Sequence, residues 1–257
     1  MTAQVLGVIP ARLASTRLPR KPLHPIAGRP LLEWTWRRVR DLGIFDALVV
    51  ATDSPEVETA ARAFGARVVL TRAEHPSGTD RVAEVARREE WRGYPVVVNV
   101  QGDEPFVRGD HLQAAVDLVR AGWDVGTVAT PVASAAEWRE PAVVKVARGD
   151  DGRALFFTRA PVPFPRDAAP DFASGAYLRH VGVYAYAREA LLRWVALPEG
   201  ALERIEKLEQ LRALAAGLGI GVAVGEPAEA GIDTPADALR AERIILESLA
   251  PPALERA

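Results

Sequence analysis

Short apolar runs alternate, along the first half of the chain, with longer stretches in which apolar residues recur every three or four positions. The apolar runs occupy residues 5–9, 47–51, 67–70 and 96–100. Because these runs show no alternation with polar residues, they are typical of strands buried on both faces, and the stretches between them have the period of amphipathic helices. The pattern predicts an α/β fold with a mostly parallel, doubly wound sheet whose loops converge at one end.

The pattern changes in the second half of the chain. Residues 143–147 and 154–158 flank the turn sequence GDDG (149–152), which predicts an antiparallel hairpin rather than another crossover. We expect one domain over residues 1–257, in which residues 140–182 form this hairpin and an excursion that serves as a lid or as a dimer contact. The predicted fold is therefore mixed.

One predicted helix, over residues 203–216, carries charges on its packing face. Glu209 and Arg212 fall within its apolar stripe instead of opposite it. Charges in such a position need partners. Either the two side chains pair with each other at i, i+3, or they reach a polar substrate. Gln210 is expected nearer a flank of the same helix.

The composition of the chain argues against several classes of binding partner and of site chemistry. The formal net charge is -2 and the pI is about 6.1, so there is no global field for nucleic acid or for an anionic membrane. The absence of cysteine excludes disulfides, a thiolate nucleophile and cysteine-ligated metal. The sequence has no signal-peptide pattern and no apolar run near the roughly 20 residues of a membrane span. We expect a cytoplasmic protein with no nucleic-acid or membrane partner.

The loop after the first strand concentrates cations and hydroxyl groups. Its cations are Arg12, Arg17, Arg20 and Lys21, and its hydroxyl donors are Ser15 and Thr16. At the carboxyl end of the first strand of an α/β sheet, such side chains suit a polyphosphate. A solvated basic loop is the alternative interpretation. The sequence contains neither G-x-G-x-x-G nor G-x-x-x-x-G-K-[ST], so it indicates neither a dinucleotide-binding fold nor a P-loop NTPase.

A second polar segment, NVQGDEP (99–105), follows the fourth predicted strand and should lie at the same edge of the sheet as the first loop. Gly102 allows the backbone to turn tightly against a ligand that Gln101 could also contact. Asp103 can hold a hard cation through oxygen. The alternative is a strand-end turn in which Asp103 is a local cap.

Asp233 precedes the sequence TPAD (234–237), which already contains a hydroxyl N-cap, a proline at the first helical position and a capping acid. Asp233 therefore has no capping role left. Together with Asp103 it suggests a two-carboxylate magnesium site, because Mg²⁺ typically takes one or two carboxylates plus phosphate oxygens and water. The alternative is an exposed loop acid.

Five segments match a known family in the same order along the chain. They are VIPARLASTRLPRKPL (8–23), HPSGTDR (75–81), NVQGDEP (99–105), FTRAP (157–161) and EKLEQLR (206–212). Through these segments, which span nearly its whole length, the chain resembles the 3-deoxy-D-manno-octulosonate cytidylyltransferases, or CMP-Kdo synthetases. Two positions depart from the family pattern: Leu13 replaces an expected aromatic residue and Arg20 an expected glycine.

The resemblance implies a Rossmann-like nucleotidyltransferase fold and a reaction. CMP would be transferred from CTP to the anomeric 2-hydroxyl of Kdo, with release of pyrophosphate and formation of CMP-Kdo for lipopolysaccharide biosynthesis. Mg²⁺ is the implied cofactor, and a homodimer is the implied assembly. Because an anionic sugar must approach an anionic phosphate, we expect catalysis mainly by positioning and charge neutralisation, without a covalent intermediate.

The resemblance also implies roles for individual residues. The residues implied for CTP are Arg12, Ser15, Arg17 and Lys21 at the triphosphate and Arg72, Ser77 and Gln101 at the nucleoside. Those implied for the sugar are Arg159, His180, Tyr184, Glu209 and Gln210. Asp103 and Asp233 would hold magnesium, and with Arg12 and Lys21 they form the expected catalytic set. Arg159 would pair with the Kdo carboxylate, and Arg212 would be a structural partner of Glu209.

Two other functions stay open. An N-acylneuraminate cytidylyltransferase shares the pattern of the first loop but is not expected to carry EKLEQLR (206–212). A nucleotide-sensing protein of the same fold would bind CTP without turnover. A substrate panel separates the first from a CMP-Kdo synthetase, and pyrophosphate release in the presence of Kdo separates the second.

Overall fold

A mixed β-sheet with helices on both faces forms the centre of the molecule. The computed structural model describes residues 4–15 and 17–249. In chain order its strands are β1 (Val5–Pro10), β2 (Pro25–Ile26), β3 (Arg29–Pro30), β4 (Ala47–Thr52), β5 (Arg67–Leu70), β6 (Val96–Asn99), β7 (Val125–Pro131), β8 (Lys145–Arg148), β9 (Ala154–Thr158), β10 (Leu178–Ala187) and β11 (Ile220–Val224).

The helices alternate with the strands in the first half, and four of the five described helices of the second half follow β10. They are α1 (Leu31–Asp41), α2 (Pro55–Ala63), α3 (Gly78–Arg87), α4 (Gly109–Arg120), α5 (Ala135–Arg139), α6 (Arg188–Trp194), α7 (Ala201–Glu206), α8 (Gln210–Ala215) and α9 (Pro235–Leu249). None of them combines the length and the apolar composition that a bilayer-spanning helix needs.

The strand order of the main sheet is β11-β7-β10-β6-β1-β4-β5. Strand β1 pairs in parallel with β4 and with β6, β4 pairs in parallel with β5, and β7 pairs in parallel with β11. Strand β10 runs antiparallel to both of its neighbours, β6 and β7. The structure confirms the predicted mostly parallel, doubly wound sheet with an antiparallel element in the second half.

Alternate residues of β1 enter opposite faces of the sheet, as the geometry of a strand requires. Leu6 and Val8 belong to one apolar cluster, which includes residues of α3. Val5 and Ile9 belong to a second cluster, which includes residues of α1 and α4. All four side chains are fully buried. Burial on both faces explains why this strand has a continuous apolar run and no polar alternation.

The connections after β1 and β6 leave the sheet side by side. The chain runs from β1 outward to β4 and β5, and then returns to place β6 on the other side of β1. In open α/β sheets ligands bind where the strand order reverses in this way. Gly102 lies at this point, and a Cβ added to it would be 3.1 Å from the main-chain oxygen of Pro10. The glycine therefore permits a close approach of the two loops.

The predicted antiparallel hairpin is present as β8 and β9. It joins the main sheet because Lys145 of β8 also pairs with Arg179 of β10. Beyond β9 the chain is tethered by Trp138, whose indole nitrogen donates a hydrogen bond to the main-chain oxygen of Val162 at 3.1 Å. A lid or dimer role for residues 140–182 stays a prediction.

Strand β7 lies inside the sheet, yet the sequence pattern does not predict it. Gly126, Thr127 and Thr130 interrupt its apolar run. Each has a tertiary contact, and for Thr130 it is the Arg179 Nε that donates to its Oγ1 at 2.9 Å. A Cβ on Gly126 would lie 2.1 Å from the main-chain oxygen of Ala115, so α4 packs directly on the strand. The Thr127 hydroxyl donates to the main-chain oxygen of Val183 at 2.7 Å.

The prediction of one helix over residues 203–216 is wrong, because the chain forms α7 and α8 with a break between them. Lys207 lies at the break with φ 54° and ψ 47°, a left-handed conformation that residues other than glycine rarely adopt. The end of β9 stabilises the break. Thr158 Oγ1 donates to Glu206 Oε1 at 2.6 Å, and Arg159 Nε donates to the Glu206 main-chain oxygen at 2.8 Å.

The break also changes the partner of Arg212. Its Nε and Nη2 donate to the Glu203 carboxylate at 2.8 and 2.6 Å. Glu209 instead accepts a hydrogen bond from Thr79 Oγ1 at 3.0 Å. The expectation that Arg212 is the structural partner of Glu209 is therefore wrong among the residues that the structure describes. Glu209 and Arg212 both lie after the break, where Arg212 N donates to the Glu209 main-chain oxygen at 3.1 Å, but the Arg212 side chain reaches back to Glu203 of α7.

Candidate active site

Cations of the loop after β1 line a first cavity of about 340 Å³. The loops after β5 and β6, residues of α3, Glu209 and Asp233 form the rest of its wall. The predicted triphosphate ligands Arg12, Ser15, Arg17 and Lys21 all contribute to the lining. Thr16, the other hydroxyl donor of this loop, lies outside the described residues. The structure thus brings the four predicted triphosphate ligands to one site at the reversal of strand order.

Arg20 has a different position from the other cations of its loop. Its φ of 55° and ψ of 35° are left-handed, which is the conformation that glycine adopts without strain. This explains why a glycine is expected at this position. The Arg20 guanidinium pairs with Glu56 of α2 and is not part of the cavity lining. The expectation that Arg20 adds charge to a phosphate site is therefore wrong for this conformation.

Lys21 joins the two acids that the sequence marks as magnesium ligands. Its Nζ donates to Oδ2 of Asp103 and, at 2.7 Å, to Oδ1 of Asp233. Arg17 Nη2 lies 2.9 Å from the same oxygen of Asp233. Burial alone lowers the pKa of Lys21, but the two carboxylates outweigh burial and raise that pKa above its ordinary value. A charged ammonium therefore holds both acids around one point.

Local structure on either side of Asp233 directs its carboxylate toward Lys21. The Ile232 main-chain nitrogen donates to the Asp103 main-chain oxygen at 2.9 Å, which ties the two acidic segments together. At the start of α9, Asp237 N donates to Thr234 Oγ1 at 3.2 Å and Thr234 N donates to Asp237 Oδ2 at 2.9 Å. This confirms the predicted capping pattern, in which the Asp233 carboxylate takes no part.

The loop after β5 contributes one predicted nucleoside residue to the cavity but not the other. Ser77 lines the cavity and caps α3, where its Oγ accepts from Asp80 N at 3.2 Å. Gln101 lines the cavity from the loop after β6. Arg72 is not in the wall. Its side chain is 71% exposed, and its main-chain nitrogen donates to Glu84 Oε2 at 3.0 Å.

A second cavity, of about 310 Å³, lies beside the first. Four of the predicted sugar residues line it, namely His180, Tyr184, Glu209 and Gln210. Gly78, Gln101 and Glu209 line both cavities. A ligand in the first cavity and a ligand in the second would therefore meet at this shared wall.

Arg159, the fifth predicted sugar residue, lines neither cavity. Its Nε donates to the main-chain oxygen of Glu206 and its Nη1 donates to that of Pro141 at 2.9 Å. The guanidinium thus stabilises the backbone behind the second cavity, and its pairing with a sugar carboxylate stays a prediction. Lys207 lines the second cavity, directly after Glu206, whose main-chain oxygen Arg159 binds. The sequence pattern predicts no functional role for Lys207.

His180 offers the second cavity a neutral ring. Desolvation lowers its pKa to about 3. Its Nε2 lies 2.9 Å from Thr127 Oγ1, and the Thr127 proton is already donated to the main-chain oxygen of Val183. We therefore assign the tautomer in which His180 Nε2–H donates to Thr127. This tautomer leaves the Nδ1 lone pair as an acceptor for a ligand hydroxyl.

Glu209 is a carboxylic acid in a poorly hydrated wall. Burial raises its pKa above the ordinary value, and the hydrogen bond from Thr79 offsets part of that rise. Deprotonated, it can accept hydrogen bonds from sugar hydroxyls at the junction of the two cavities.

Comparison with known proteins places this arrangement in a family. A family model for cytidylyltransferases matches residues 6–220. A 3-deoxy-manno-octulosonate cytidylyltransferase of Gemmatimonas aurantiaca is 54% identical over 92% of this chain and 92% of its own length. That of Syntrophobacter fumaroxidans is 45% identical over 91% of this chain and 94% of its own. The chain belongs to the 3-deoxy-manno-octulosonate cytidylyltransferase family.

Solved structures agree with the family assignment. The structure of a CMP:2-keto-3-deoxy-manno-octonic acid synthetase complexed with CTP superimposes with a TM-score of 0.88, at 38% identity over 96% of this chain and all of that one. A 4-diphosphocytidyl-2C-methyl-D-erythritol synthase of Anaerococcus prevotii superimposes with a TM-score of 0.64 at 13% identity over 95% of this chain and 99% of its own. The second likeness concerns the fold alone.

Several residues that line the two cavities of this cytidylyltransferase are not among the functional residues predicted from the sequence. Arg81 lines the first cavity, although its side chain is 4% exposed and its Nη2 lies 3.0 Å from Asp53 Oδ1. Asn99 and Tyr186 line the second. For two of these three residues the sequence does contain a signal. Arg81 and Asn99 are polar or charged residues within segments that match the family, HPSGTDR and NVQGDEP, whereas Tyr186 has no signal in the sequence beyond its strand.

The family implies magnesium, and the acidic residues fit it. Asp103 and Asp233 reach a common cation, the Lys21 ammonium, with carboxylate oxygens. Oxygen is the ligand atom that Mg²⁺ prefers, and two carboxylates leave room for phosphate oxygens and water. No cluster of three or more potential metal ligands occurs among residues 4–15 and 17–249, so an ion here would need ligands from the nucleotide or the solvent.

Proposed function

We propose that this protein transfers CMP from CTP to the anomeric 2-hydroxyl of Kdo, releasing pyrophosphate and forming CMP-Kdo for lipopolysaccharide biosynthesis. The observation that carries the proposal is the continuity of a cation-lined cavity with a second, polar cavity through Gln101 and Glu209. A nucleoside triphosphate suits the first cavity and a polyhydroxylated acceptor suits the second. The shared wall is where the acceptor hydroxyl and the α-phosphorus would meet.

In the first cavity the protein supplies positive charge. Arg12, Arg17 and Lys21 neutralise the triphosphate, so that the anionic sugar acid can approach and the pyrophosphate can leave. The oxygen of the sugar hydroxyl forms the new bond to the α-phosphorus and its proton passes to water, while the bond between that phosphorus and the bridging oxygen of pyrophosphate breaks. Ser77 and Gln101 orient the nucleoside in this proposal. No residue needs to form a covalent intermediate.

In the second cavity the protein orients the acceptor. The neutral His180 ring accepts a hydroxyl hydrogen at Nδ1, and the Glu209 carboxylate accepts another at the junction. Gln210 and Tyr184 add neutral donors and acceptors. Held in this way, the anomeric hydroxyl is close to the α-phosphorus before reaction, which lowers the entropic part of the barrier.

Mg²⁺ is proposed as the cofactor, held by Asp103 and Asp233 together with oxygens of the triphosphate. When bound, it supplies additional neutralisation of the phosphate charge. Lys21 would then keep a role beside the metal, since it lines the cavity from the same point.

The decisive experiment measures pyrophosphate release from each of the four ribonucleoside triphosphates, with Kdo or with sialic acid as acceptor. The proposal requires turnover with CTP and Kdo. Turnover with sialic acid in place of Kdo would instead identify an N-acylneuraminate cytidylyltransferase. Binding of CTP without pyrophosphate release in the presence of Kdo would identify a nucleotide sensor.

A homodimer is also proposed. Large apolar side chains in and after the hairpin are exposed, and they support this proposal because a dimer contact would bury them. Leu155, Phe164 and Ile205 are 59%, 79% and 79% exposed. Light scattering behind size exclusion should give twice the chain mass, and the double variant Phe164→Ser and Ile205→Ser should reduce it. A cytoplasmic location stays a prediction.

A further inference from the structure

The second cavity contains polar atoms that lack partners. Oδ1 of Asn99 and the hydroxyl oxygens of Tyr184 and Tyr186 are buried, and none of them has a hydrogen-bond partner among residues 4–15 and 17–249. All three residues line the cavity. Buried polar groups without partners are rare in folded proteins, and each costs free energy until something satisfies it. Three of them in one cavity indicate a ligand that carries hydrogen-bonding groups.

The register of the sheet places these residues on one face. Asn99, the last residue of β6, lies opposite Tyr184 of β10. Tyr186 follows two positions later on β10 and therefore points to the same face. The Tyr184 and Tyr186 rings stack with centroids 5.9 Å apart, and Trp194 packs edge-on against both. Because the rings are packed on each other, their hydroxyls are fixed in position before any ligand arrives.

Asn99 departs from the composition of its own strand. The three preceding residues of β6 are all valine, and Asn99 is only 2% exposed. An amide at such a position costs stability compared with a fourth valine. Tyr186 is fully buried. Burial raises its pKa, while Thr79 and Asn99 lie near enough to its hydroxyl to offset part of the rise. The Tyr186 phenol is therefore neutral, as the Asn99 amide always is, and each group can donate and accept a hydrogen bond.

We propose that Asn99 and Tyr186 recognise one non-anomeric hydroxyl of the acceptor and determine specificity for it. This inference rests on the proposed function, because it concerns the sugar acid in the second cavity. An amide and a phenol offer complementary hydrogen bonds without charge, which suits a hydroxyl better than a carboxylate or an amine. Sites that bind a hydroxyl in this way reject analogues that lack it, since the protein groups are then left unpaired.

The first test is Tyr186→Phe. Removal of an unpartnered buried hydroxyl should leave the Tm of the ligand-free protein unchanged or higher. At the same time kcat/KM for Kdo should fall by roughly tenfold or more, whereas KM for CTP should stay within about twofold. The matched control is Tyr94→Phe. That ring packs on Trp91 with centroids 5.6 Å apart and lines none of these cavities, so its loss of a hydroxyl should leave the kinetics unchanged.

The second test identifies the hydroxyl. A panel of Kdo analogues, each lacking one hydroxyl other than the anomeric one, is compared with Kdo. The wild-type protein should discriminate most strongly against one analogue. In Tyr186→Phe that discrimination should weaken by about tenfold, with the other ratios unchanged. Asn99→Val extends the valine run of β6 and should weaken discrimination against the same analogue.

The outcomes separate this inference from the proposed function. Failure of the wild-type protein to release pyrophosphate from CTP with Kdo would refute the proposed function itself. If the wild-type protein is active, equal losses for Kdo and for every analogue would overturn only the inference. A lowered Tm of Tyr186→Phe with unchanged Kdo kinetics would also overturn it, because the hydroxyl would then be structural.

Discussion

Lys21 Nζ donates a hydrogen bond to Asp233 Oδ1 at 2.7 Å, across 212 positions of the chain. The same nitrogen also binds Asp103. The contact connects the loop after β1 with the segment before α9, and the side chain of Lys21 is only 14% exposed. Lys21 therefore joins segments from the two ends of the sequence at the site, and its ammonium offsets the charge of both acids.

We predict that Lys21→Ala lowers turnover by about 10² or more, because the ammonium lies where charge develops on the departing pyrophosphate. It should also lower the Tm without magnesium, since two carboxylates are left without their common cation. Added Mg²⁺ should then raise the Tm of the variant more than that of the wild-type protein. Steady-state kinetics and thermal melts with and without Mg²⁺ measure these effects.

The control for Lys21 is Arg20→Ala. Arg20 belongs to the same loop, but it pairs with Glu56 and is 60% exposed, so its loss should leave turnover within about twofold. Unchanged turnover of Lys21→Ala at saturating CTP would contradict the role of Lys21.

The part of the fold that depends on local signals could be predicted from the sequence. Ser54 is followed by Pro55 and accepts from Val57 N at 3.3 Å, so it caps α2 through contacts within four residues. The capping pattern of Thr234 and Asp237 is equally local. Apolar runs likewise locate β1, β4, β5 and β6, because burial on both faces leaves no polar alternation.

Features that distant contacts impose could not be predicted. No glycine or proline marks the break at Lys207, where Thr158 and Arg159 hold Glu206 from another strand. In β7 the polar Thr127 is tolerated only because Val183 and His180 provide its hydrogen bonds. Neither arrangement has a signal within its own stretch of sequence.

The candidate site shows the same division. The loops after β1 and β6 could be placed together from strand order alone, and Lys21, Asp103 and Asp233 do meet. The sequence predicts a metal between the two carboxylates. That Lys21 and Arg17 contact them depends on side-chain packing, which the sequence pattern does not specify. The positions of Arg20 and Arg72 depend on backbone conformation and on partners that charge alone does not specify.

We predict that Glu203→Gln is destabilising and that its effect depends on pH. The Glu203 and Arg212 side chains are only 6% and 17% exposed, and loss of one partner of a buried pair costs about 3–5 kcal/mol. Burial alone raises the pKa of Glu203, but Arg212 outweighs it and the pKa is lowered. The contribution of the pair is therefore present above the ordinary value of 4.5 and is lost as the pH falls below it.

Urea unfolding of Glu203→Gln and the wild-type protein at neutral and at acidic pH tests this. The difference in free energy of unfolding should shrink at acidic pH. Glu58→Gln serves as the control, because Glu58 pairs with the exposed Arg62 within one helix and should cost about 0.5 kcal/mol or less. A difference that does not depend on pH would contradict the assigned ion pair.

We predict that Glu209→Gln raises KM for Kdo more than KM for CTP and removes an acidic limb from the pH profile of kcat/KM for Kdo. Burial raises the pKa of Glu209, so the wild-type carboxylate should protonate above the ordinary 4.5 as the pH falls and then lose its acceptor role. Gln210→Ala should raise KM for Kdo as well, but without a change in the shape of the profile.

Arg204→Gln is the control for these two variants, because Arg204 is exposed on α7 and donates to the Glu199 main-chain oxygen at 2.9 Å. Its kinetics should match those of the wild-type protein. If Glu209→Gln lowers only the Tm and leaves Kdo saturation unchanged, Glu209 is an ordinary packing residue.

The prediction that tests the site most directly concerns Asp103 and Asp233, which are 130 positions apart by residue number. Asp103→Asn and Asp233→Asn keep the size of each side chain but remove the charge that offsets a cation. Each variant should fold, lose activity by roughly 10² or more and require more Mg²⁺. Because both acids surround one point, the double variant should lose far less than the product of the two single losses.

Turnover measured against magnesium concentration for the two single variants and the double variant decides between the possibilities. The reference is Asp110→Asn, which alters an exposed acid that pairs with Arg108 and lines neither cavity, so it should leave the magnesium requirement unchanged. A shared metal requires a common shift in magnesium dependence and strong non-additivity. Multiplicative losses with an unchanged magnesium requirement would mean that Asp103 and Asp233 do not share a metal, and the two-carboxylate metal site would have to be abandoned.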